Sequence, residues 1–240
     1  LAGREEMVLA PTVHFREGAE VVEKELWAEA KRLGVGRARH RTAVRAAFAA
    51  QEIFQEKVQA AGAKALKAID EAGEQGIVIA GRPYNIFDME INIDVPSKLR
   101  DYYGMNVVPI AFLPLGGIDA GAPGERMFWH YGRRILQAAK FVDGRENLHL
   151  IYITNFKCGP DSYIKHFCRR VAGRPWLTLQ FDAHGNDAGI MTRFEAYLDS
   201  KGALRWWKKD LRHSKAEPSG FRECPREERR HSLLRAAGSE

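Results

Sequence analysis

Apolar residues recur along the first third of the chain at the spacing of helices. Residues 17–33 and 42–72 each carry apolar side chains three or four positions apart, with charged residues between them. Gly62 interrupts the second pattern and predicts a weak point or kink there. A short apolar stretch at residues 8–15, interrupted by Pro11, predicts an edge or entering strand. The chain is thus predicted to begin with one short strand and two helices, the second of them long.

From residue 76 onward, all-apolar runs alternate with amphipathic stretches. The apolar runs lack polar alternation, which is typical of strands buried on both faces of a parallel sheet. Alternation of strands and helices predicts an α/β fold: an open parallel sheet of about four to five strands with helices on both faces, preceded by a long helical segment. The predicted strands are 76–80, 105–112, 148–154 and 176–181, and the predicted helices that follow them are 94–103, 125–142, 161–171 and 187–198.

These patterns divide the chain into three parts. We predict an N-terminal helical segment at 1–75, an α/β domain at 76–201 and a basic, disordered tail at 202–240. Residues 200–240 hold 11 of the 37 basic and 6 of the 31 acidic residues, so the rest of the chain has a net charge of only +1. The basic balance therefore belongs to the tail and not to a folded basic face, which argues against nucleic-acid binding.

Membrane insertion and secretion are also disfavoured. No uncharged apolar stretch approaches the ~20 residues that a membrane span requires. The three cysteines, Cys158, Cys168 and Cys224, are an odd and widely spaced set, which is no disulfide framework and predicts a reducing cytoplasm. The chain begins with Leu1 and not with Met, from which we expect a fragment of a longer protein.

The motif NFKCGPDS at 155–162 follows the third predicted strand directly. Gly159 and Pro160 cannot continue a strand and Asp161 opens a helical pattern, so Cys158 is predicted where a strand ends and a helix begins. Open α/β sheets bind ligands at that place, and a helix N-terminus favours the thiolate that ligates metals. Free cysteines are also common as small buried side chains, and position alone leaves both roles open.

A second motif, GRPYN at 81–85, follows the first strand of the sheet. Gly81 permits a tight turn or a close backbone approach, and Pro83 stiffens the loop. The planar guanidinium of Arg82 can clamp a phosphate or a carboxylate, although an exposed arginine at an ordinary turn fits the pattern as well. The motif is not a phosphate loop, because it lacks the glycine spacing of one.

Two other stretches carry weaker signals. Residues 129–135 predict a helix with Trp129, Gly132 and Arg133 on one side, and the ordinary interpretation is that Trp129 and Ile135 pack in the core while the arginines are solvated. Asp182 and His184, after the fourth strand, are candidates for metal binding or acid–base chemistry, but one pair without a third partner favours a turn-capping aspartate beside a surface histidine.

Taken in order, these motifs resemble a known family. GRPYN, the Trp-x-Tyr-x-x-Arg-Ile stretch at 129–135, NFKCGPDS, and Asp182 and His184 with DAGIMTR at 187–193 are similar to the 2-hydroxyacyl-CoA dehydratase and benzoyl-CoA reductase family. They look most like the dehydratase-like region of large proteins that fuse it to an ATP-dependent activase. The resemblance covers about residues 11–201, and NFKCGPDS is its most specific motif.

The resemblance implies an iron–sulfur cluster, of the [4Fe–4S] or double-cubane type, held by cysteines at strand ends. An activase that binds and hydrolyses ATP would pass the cluster single electrons of low potential, for use on an acyl-CoA-type substrate. Cys158 would be one cluster ligand, and the other ligands would be cysteines outside this fragment, which alone would be inactive. Gly159 would let the backbone approach the cluster, and the helix from Asp161 would influence its potential.

The resemblance does not identify catalytic residues. A non-catalytic α/β module that docks the activase is the alternative, and the missing cluster ligands and the alanine-rich pattern at 42–72 favour it. The residues expected in the loops around the cluster or substrate are Gly81, Arg82, Pro83, Tyr84, Asn85, Asn155, Gly159, Pro160 and Asp161, with His184 as a further candidate.

Overall fold

The computed structural model describes residues 8–182 and 187–203. Two compact units are distinguished, Leu1–Phe194 and Glu195–Glu240, and the sheet lies in the first. The predicted division at residues 75 and 201 stays a prediction. The last strand is followed by a helix that begins at residue 187, and Cys224, His184 and most of the predicted tail lie outside the described residues.

A four-stranded parallel sheet forms the centre of the first unit and confirms the predicted fold class. The strands are β1 (Gly76–Gly81), β2 (Asn106–Pro109), β3 (Leu148–Asn155) and β4 (Leu177–Phe181). Their order across the sheet is β2-β1-β3-β4, and every neighbouring pair is parallel. All of β1 and nearly all of β3 are buried, because helices cover both faces of a parallel sheet.

Helices connect the strands and precede them. Right-handed crossovers place the connection from β1 to β2 on one face, and the connections from β2 to β3 and from β3 to β4 on the other. The helices are α1 (Ala19–Arg32), α2 (Arg37–Ala72), α3 (Pro83–Phe87), α4 (Val95–Tyr103), α5 (Gly121–Glu125), α6 (His130–Asp143), α7 (Gly159–Val171) and α8 (Asp187–Ser200). Among the described residues, no helix is both long enough and apolar enough to cross a membrane.

The predicted strand at 8–15 is wrong. Residues 8–14 form no regular element, and one 3₁₀ turn at Phe15–Glu17 leads into α1. Val8 and Phe15 are exposed, so the stretch has no buried face to hold it against a sheet. Pro11 also lacks the amide hydrogen that a ladder needs.

Two other boundaries differ from prediction for local reasons. The second strand ends at Pro109 and not at residue 112, because the chain turns there into a 3₁₀ helix at Ile110–Phe112. The helix predicted from residue 125 is divided, and α6 begins only at His130 because Trp129 before it has an extended backbone.

The helix α2 has 36 residues and two separate packing regions. Near its start, His40 is buried and its Nε2 lies 2.8 Å from the carbonyl oxygen of Glu23 in α1. Towards its end, Gly62, Leu66 and Ile69 are buried. A Cβ at Gly62 would lie 1.8 Å from the carbonyl oxygen of Phe112, so the glycine lets α2 touch the backbone that follows β2.

Candidate functional site

The candidate site lies at the carboxyl ends of β1 and β3. From β1 the chain crosses to β2 on one side, and from β3 it crosses to β4 on the other. This divergence makes the β1–β3 boundary the switch point at which open α/β sheets form a ligand-binding crevice. The two predicted motifs, GRPYN and NFKCGPDS, begin at the ends of these two strands.

A buried ion pair connects the two motifs. Arg82 follows β1, and its Nε donates to Oδ1 of Asp161 at 3.0 Å. Asp161 lies in the first turn of α7 and is fully buried. Its Oδ2 accepts a hydrogen bond from Oγ1 of Thr154 at 2.6 Å. Both oxygens of this carboxylate are therefore bonded, which ties β1, β3 and α7 together.

Electrostatics keep Arg82 charged and a neighbouring phenol neutral. Burial opposes the charge of Arg82, but the adjacent carboxylate of Asp161 outweighs it, so the pKa of Arg82 lies above its ordinary value. Tyr152 is buried, and burial followed by the charge of Asp161 raises its pKa. Its hydroxyl has no hydrogen-bond partner among the described residues.

Cys158 occupies the N-cap position of α7. Its side chain is half-buried, and its carbonyl oxygen accepts the amide hydrogen of Ser162 at 2.9 Å. Lys157, before it, has a left-handed backbone with φ of 59°, which is uncommon for a residue other than glycine. A negative charge on Cys158 would also raise the pKa of Arg82, although burial and the carboxylate of Asp161 have larger effects on it. Cys158 therefore shares the crevice with the ion pair.

The GRPYN motif brings backbones and polar atoms close together. A Cβ at Gly81 would lie 2.5 Å from the carbonyl oxygen of Ile153 in β3, so only glycine fits there without a shift. Pro83 begins α3, a short helix that the sequence pattern did not predict. Asn85 is fully buried, and neither its Nδ2 nor its Oδ1 has a hydrogen-bond partner among the described residues. The Nη2 of Arg82 is buried without a partner as well.

The other predicted residues are dispersed around this crevice. Tyr84 is half-exposed, and burial of its hydroxyl raises its pKa. A Cβ at Gly159 would meet nothing within 4 Å, and Pro160 lies in the first turn of α7. Asn155 borders a separate cavity of about 430 Å³ beside Phe181.

Sequence reasoning missed two members of the site, Thr154 and Tyr152. Both lie on β3, which reads as an apolar run with few polar atoms. The available signal was the hydroxyl that each carries inside an otherwise apolar strand. A buried hydroxyl needs a partner, and Asp161 supplies one for Thr154.

The described residues provide one accessible cysteine and not a complete cluster site. Cys168 is only 1% exposed, and burial, followed by the charge of Asp161, raises its pKa to about 12. Cys168 therefore packs in the core. Within residues 8–182 and 187–203 there is no group of three His, Cys, Asp or Glu side chains that could hold a metal ion.

Aromatic side chains surround the start of α6 and the first turns of α7. The ring centroids of Trp129 and Tyr163 are 5.9 Å apart, and those of Phe128 and Trp129 are 6.2 Å apart. Phe128 is 88% exposed and Trp129 is 37% exposed. The prediction that Trp129 lies in the core is wrong, because it precedes α6 in an extended backbone, whereas Ile135 is buried as predicted.

The comparisons with known proteins concern the first part of the chain. Residues 3–113 match the family described as CoA enzyme activase uncharacterised domain. The match includes Arg82 and ends before Cys158 and Asp161. No curated protein and no solved structure matches the chain. This similarity, which covers less than half of the chain, supports the activase-related part of the resemblance for residues 3–113, and the dehydratase-like part stays a prediction.

Proposed function

We propose that this chain contributes one ligand, Cys158, to an iron–sulfur cluster in an activase-linked protein of the 2-hydroxyacyl-CoA dehydratase or reductase kind. The observation that carries the proposal is the position of Cys158: half-buried, at the N-terminus of α7, beside the buried Arg82–Asp161 pair at the switch point. The match of residues 3–113 to a CoA enzyme activase domain supports the same context.

The chain's own residues would hold and bias the bound group. Sγ of Cys158 would bind it as a thiolate, which is the form in which cysteine ligates metals. Asp161 would fix Arg82 in place, and the free Nη2 of Arg82 would offer a hydrogen-bond donor. When bound, a cluster of this kind supplies single electrons of low potential, here to an acyl-CoA-type substrate.

The remaining components would come from elsewhere. We expect the other cysteine ligands outside this fragment, and among the described residues Cys158 is the one cysteine that is not buried. The ATP-dependent activase, as a domain or a subunit, would be the electron donor and the only part that binds ATP for this reaction. We place the assembly in the reducing cytoplasm, where thiolate ligands persist.

Anaerobic reconstitution of the full-length protein with iron and sulfide tests this proposal. Wild type, Cys158→Ala and the matched control Cys168→Ala are compared by iron content, sulfide content and visible absorbance. We expect cluster loss in Cys158→Ala only, with circular dichroism verifying that each variant is folded. Full cluster content in Cys158→Ala would contradict the assignment of Cys158 as a ligand.

The exposed aromatic residues favour a second function, docking of the activase without catalysis by this domain. Phe128, Trp129 and Tyr163 together present a large apolar surface close to the start of α7, and surfaces of this kind mark interaction sites. In this case the activase region should bind equally well to the iron-free and the reconstituted protein, and Phe128→Ser should weaken that binding. Binding that disappears with the cluster alone would count against docking as the separate function.

A further inference from the structure

A cavity of about 760 Å³ lies where α5 and the loop before it meet α6 and α7. Its volume falls within the range of small-molecule sites, about 300–1,000 Å³. Cys158, Arg82 and Asp161 do not line it, so it is separate from the crevice at the switch point. The side chains on which its chemistry depends are Asp119, Arg126, Lys140, Tyr163, Phe167 and Arg170.

Three positively charged side chains and one carboxylate line this cavity. Asp119 is already engaged, because its Oδ1 accepts the amide hydrogen of Gly121 at 2.6 Å. Arg126 and Arg170 have no ion pair with the described residues. Nζ of Lys140 is 4.0 Å from Oδ2 of Asp143 and its side chain is half-exposed. These cations remain available to an anion, and two of the three are arginines, which bind phosphate oxygens through paired donors.

The same cavity contains an aromatic wall. The ring centroids of Tyr163 and Phe167 are 4.6 Å apart, with their planes tilted by 54°. The guanidinium of Arg170 lies 5.9 Å from the centre of the Phe167 ring. Tyr163 is 52% exposed, so part of its ring is available for stacking on a planar ligand.

From this arrangement we infer that the cavity between α5, α6 and α7 binds a nucleotide. The base stacks on Tyr163, with the tilted ring of Phe167 beside it, and the phosphates lie against Arg126, Lys140 and Arg170. An anion alone would use the cations but not the aromatic wall, and an apolar ligand would use the wall but desolvate Arg126 and Arg170, which have no ion pair with the described residues. A phosphate-bearing aromatic ligand satisfies both halves of the site.

Isothermal titration of the chain with ADP tests this inference. Wild type should bind ADP, and Arg126→Ala with Arg170→Ala should weaken binding more than tenfold. The matched control is Arg169→Ala. Arg169 is an exposed arginine of α7, next to Arg170, and its side chain borders a different cavity. The titration uses protein without added iron or sulfide, which keeps this test independent of the cluster proposal.

Separate probes assign the two halves of the site. Tyr163→Ala should weaken ADP more than inorganic pyrophosphate, because only ADP has a base to stack. Coenzyme A shares the adenosine diphosphate group, and its affinity relative to ADP distinguishes a coenzyme source from a free nucleotide. No heat of binding with either compound at 1 mM, or equal affinity in the double arginine variant, would overturn the inference.

Discussion

Arg82 and Asp161 are 79 positions apart in the sequence and form a buried ion pair at 3.0 Å in the crevice between β1 and β3. The side chain of Arg82 is 15% exposed and that of Asp161 is fully buried. A pair of this kind is costly to desolvate, and removal of one partner leaves the other as an unpaired charge in a medium of low polarity. The carboxylate therefore holds the geometry of the site, independently of any ligand.

Replacement of Asp161 by Asn should destabilise the protein strongly. The amide keeps the shape of the side chain but removes the charge opposite Arg82, so we expect a loss of about 3 kcal/mol in the free energy of unfolding. Urea denaturation of wild type and Asp161→Asn measures this loss.

The exposed pair between Arg145 and Asp70 provides the control for that change. Their side chains are 36% and 46% exposed, and Nη1 lies 3.1 Å from Oδ2. Asp70→Asn should therefore cost less than about 1 kcal/mol. Equal losses in Asp161→Asn and Asp70→Asn would show that burial does not set the strength of the Arg82–Asp161 pair.

Gly81→Ala should separate the ends of β1 and β3. The added Cβ would lie 2.5 Å from the carbonyl oxygen of Ile153, and an overpacked contact of this kind costs about 1–3 kcal/mol. At Gly159, on the other side of the crevice, the added Cβ would meet nothing within 4 Å. Gly159→Ala should therefore lie within about 0.5 kcal/mol of wild type in thermal unfolding, and a ranking in the opposite order would refute this account of the two glycines.

Stability at alkaline pH should depend on Cys168. Burial, followed by the charge of Asp161, raises the pKa of this thiol from 9.0 to about 12 in the folded protein. Below pH 9 both states hold the proton, and between pH 9 and 12 only the unfolded state loses it. The contribution of Cys168 to stability is therefore complete below pH 9 and decreases as pH rises, by at most about 1.4 kcal/mol per pH unit.

Comparison with Cys168→Ala isolates this effect from other groups that titrate at alkaline pH. The cavity left by the smaller side chain costs the same at every pH, so the difference in unfolding free energy between the two proteins should shrink from pH 9 to 11. A difference that stays constant across this range would mean that the thiol is not protected from ionisation by folding.

The fold was predictable because its signals are local. β1 and β3 are buried along both faces and so appear in the sequence as predominantly apolar runs without regular polar alternation. The segment at 8–15 is apolar as well, but it forms no strand, because burial in a sheet depends on a neighbouring strand that no local pattern can supply. The predicted boundaries near Pro109 and Trp129 were wrong because they depend on backbone turns that lie outside each element.

The site was predictable in part. Its position at the ends of β1 and β3 followed from the two motifs, and Cys158, Arg82 and Asp161 all lie there. The pairing of Arg82 with Asp161 was not predictable, because it joins residues that are distant in sequence. The exposure of Trp129 was missed for a different reason: an aromatic side chain at helical spacing usually packs against a core.

Gly62 shows how one residue can be assigned the wrong reason. In sequence it reads as a defect in α2, because glycine is a poor helix former. In the structure it lies inside a continuous helix, at the place where a side chain would collide with the carbonyl oxygen of Phe112. Gly62 allows α2 to approach the backbone at Phe112 closely, and helix propensity does not reflect this role.

The length of α2 has a mechanical consequence. Between Val44, near its start, and Gly62, near the sheet, no residue of the helix is buried. At 1.5 Å per residue this unburied stretch is about 27 Å long. The exposed middle of α2 is thus a rigid connection between the α1–α2 hairpin and the packed end of α2 near Gly62. A proline placed midway would break this helix and leave the orientation of the hairpin unconstrained, while the contacts at both packed ends would be unchanged.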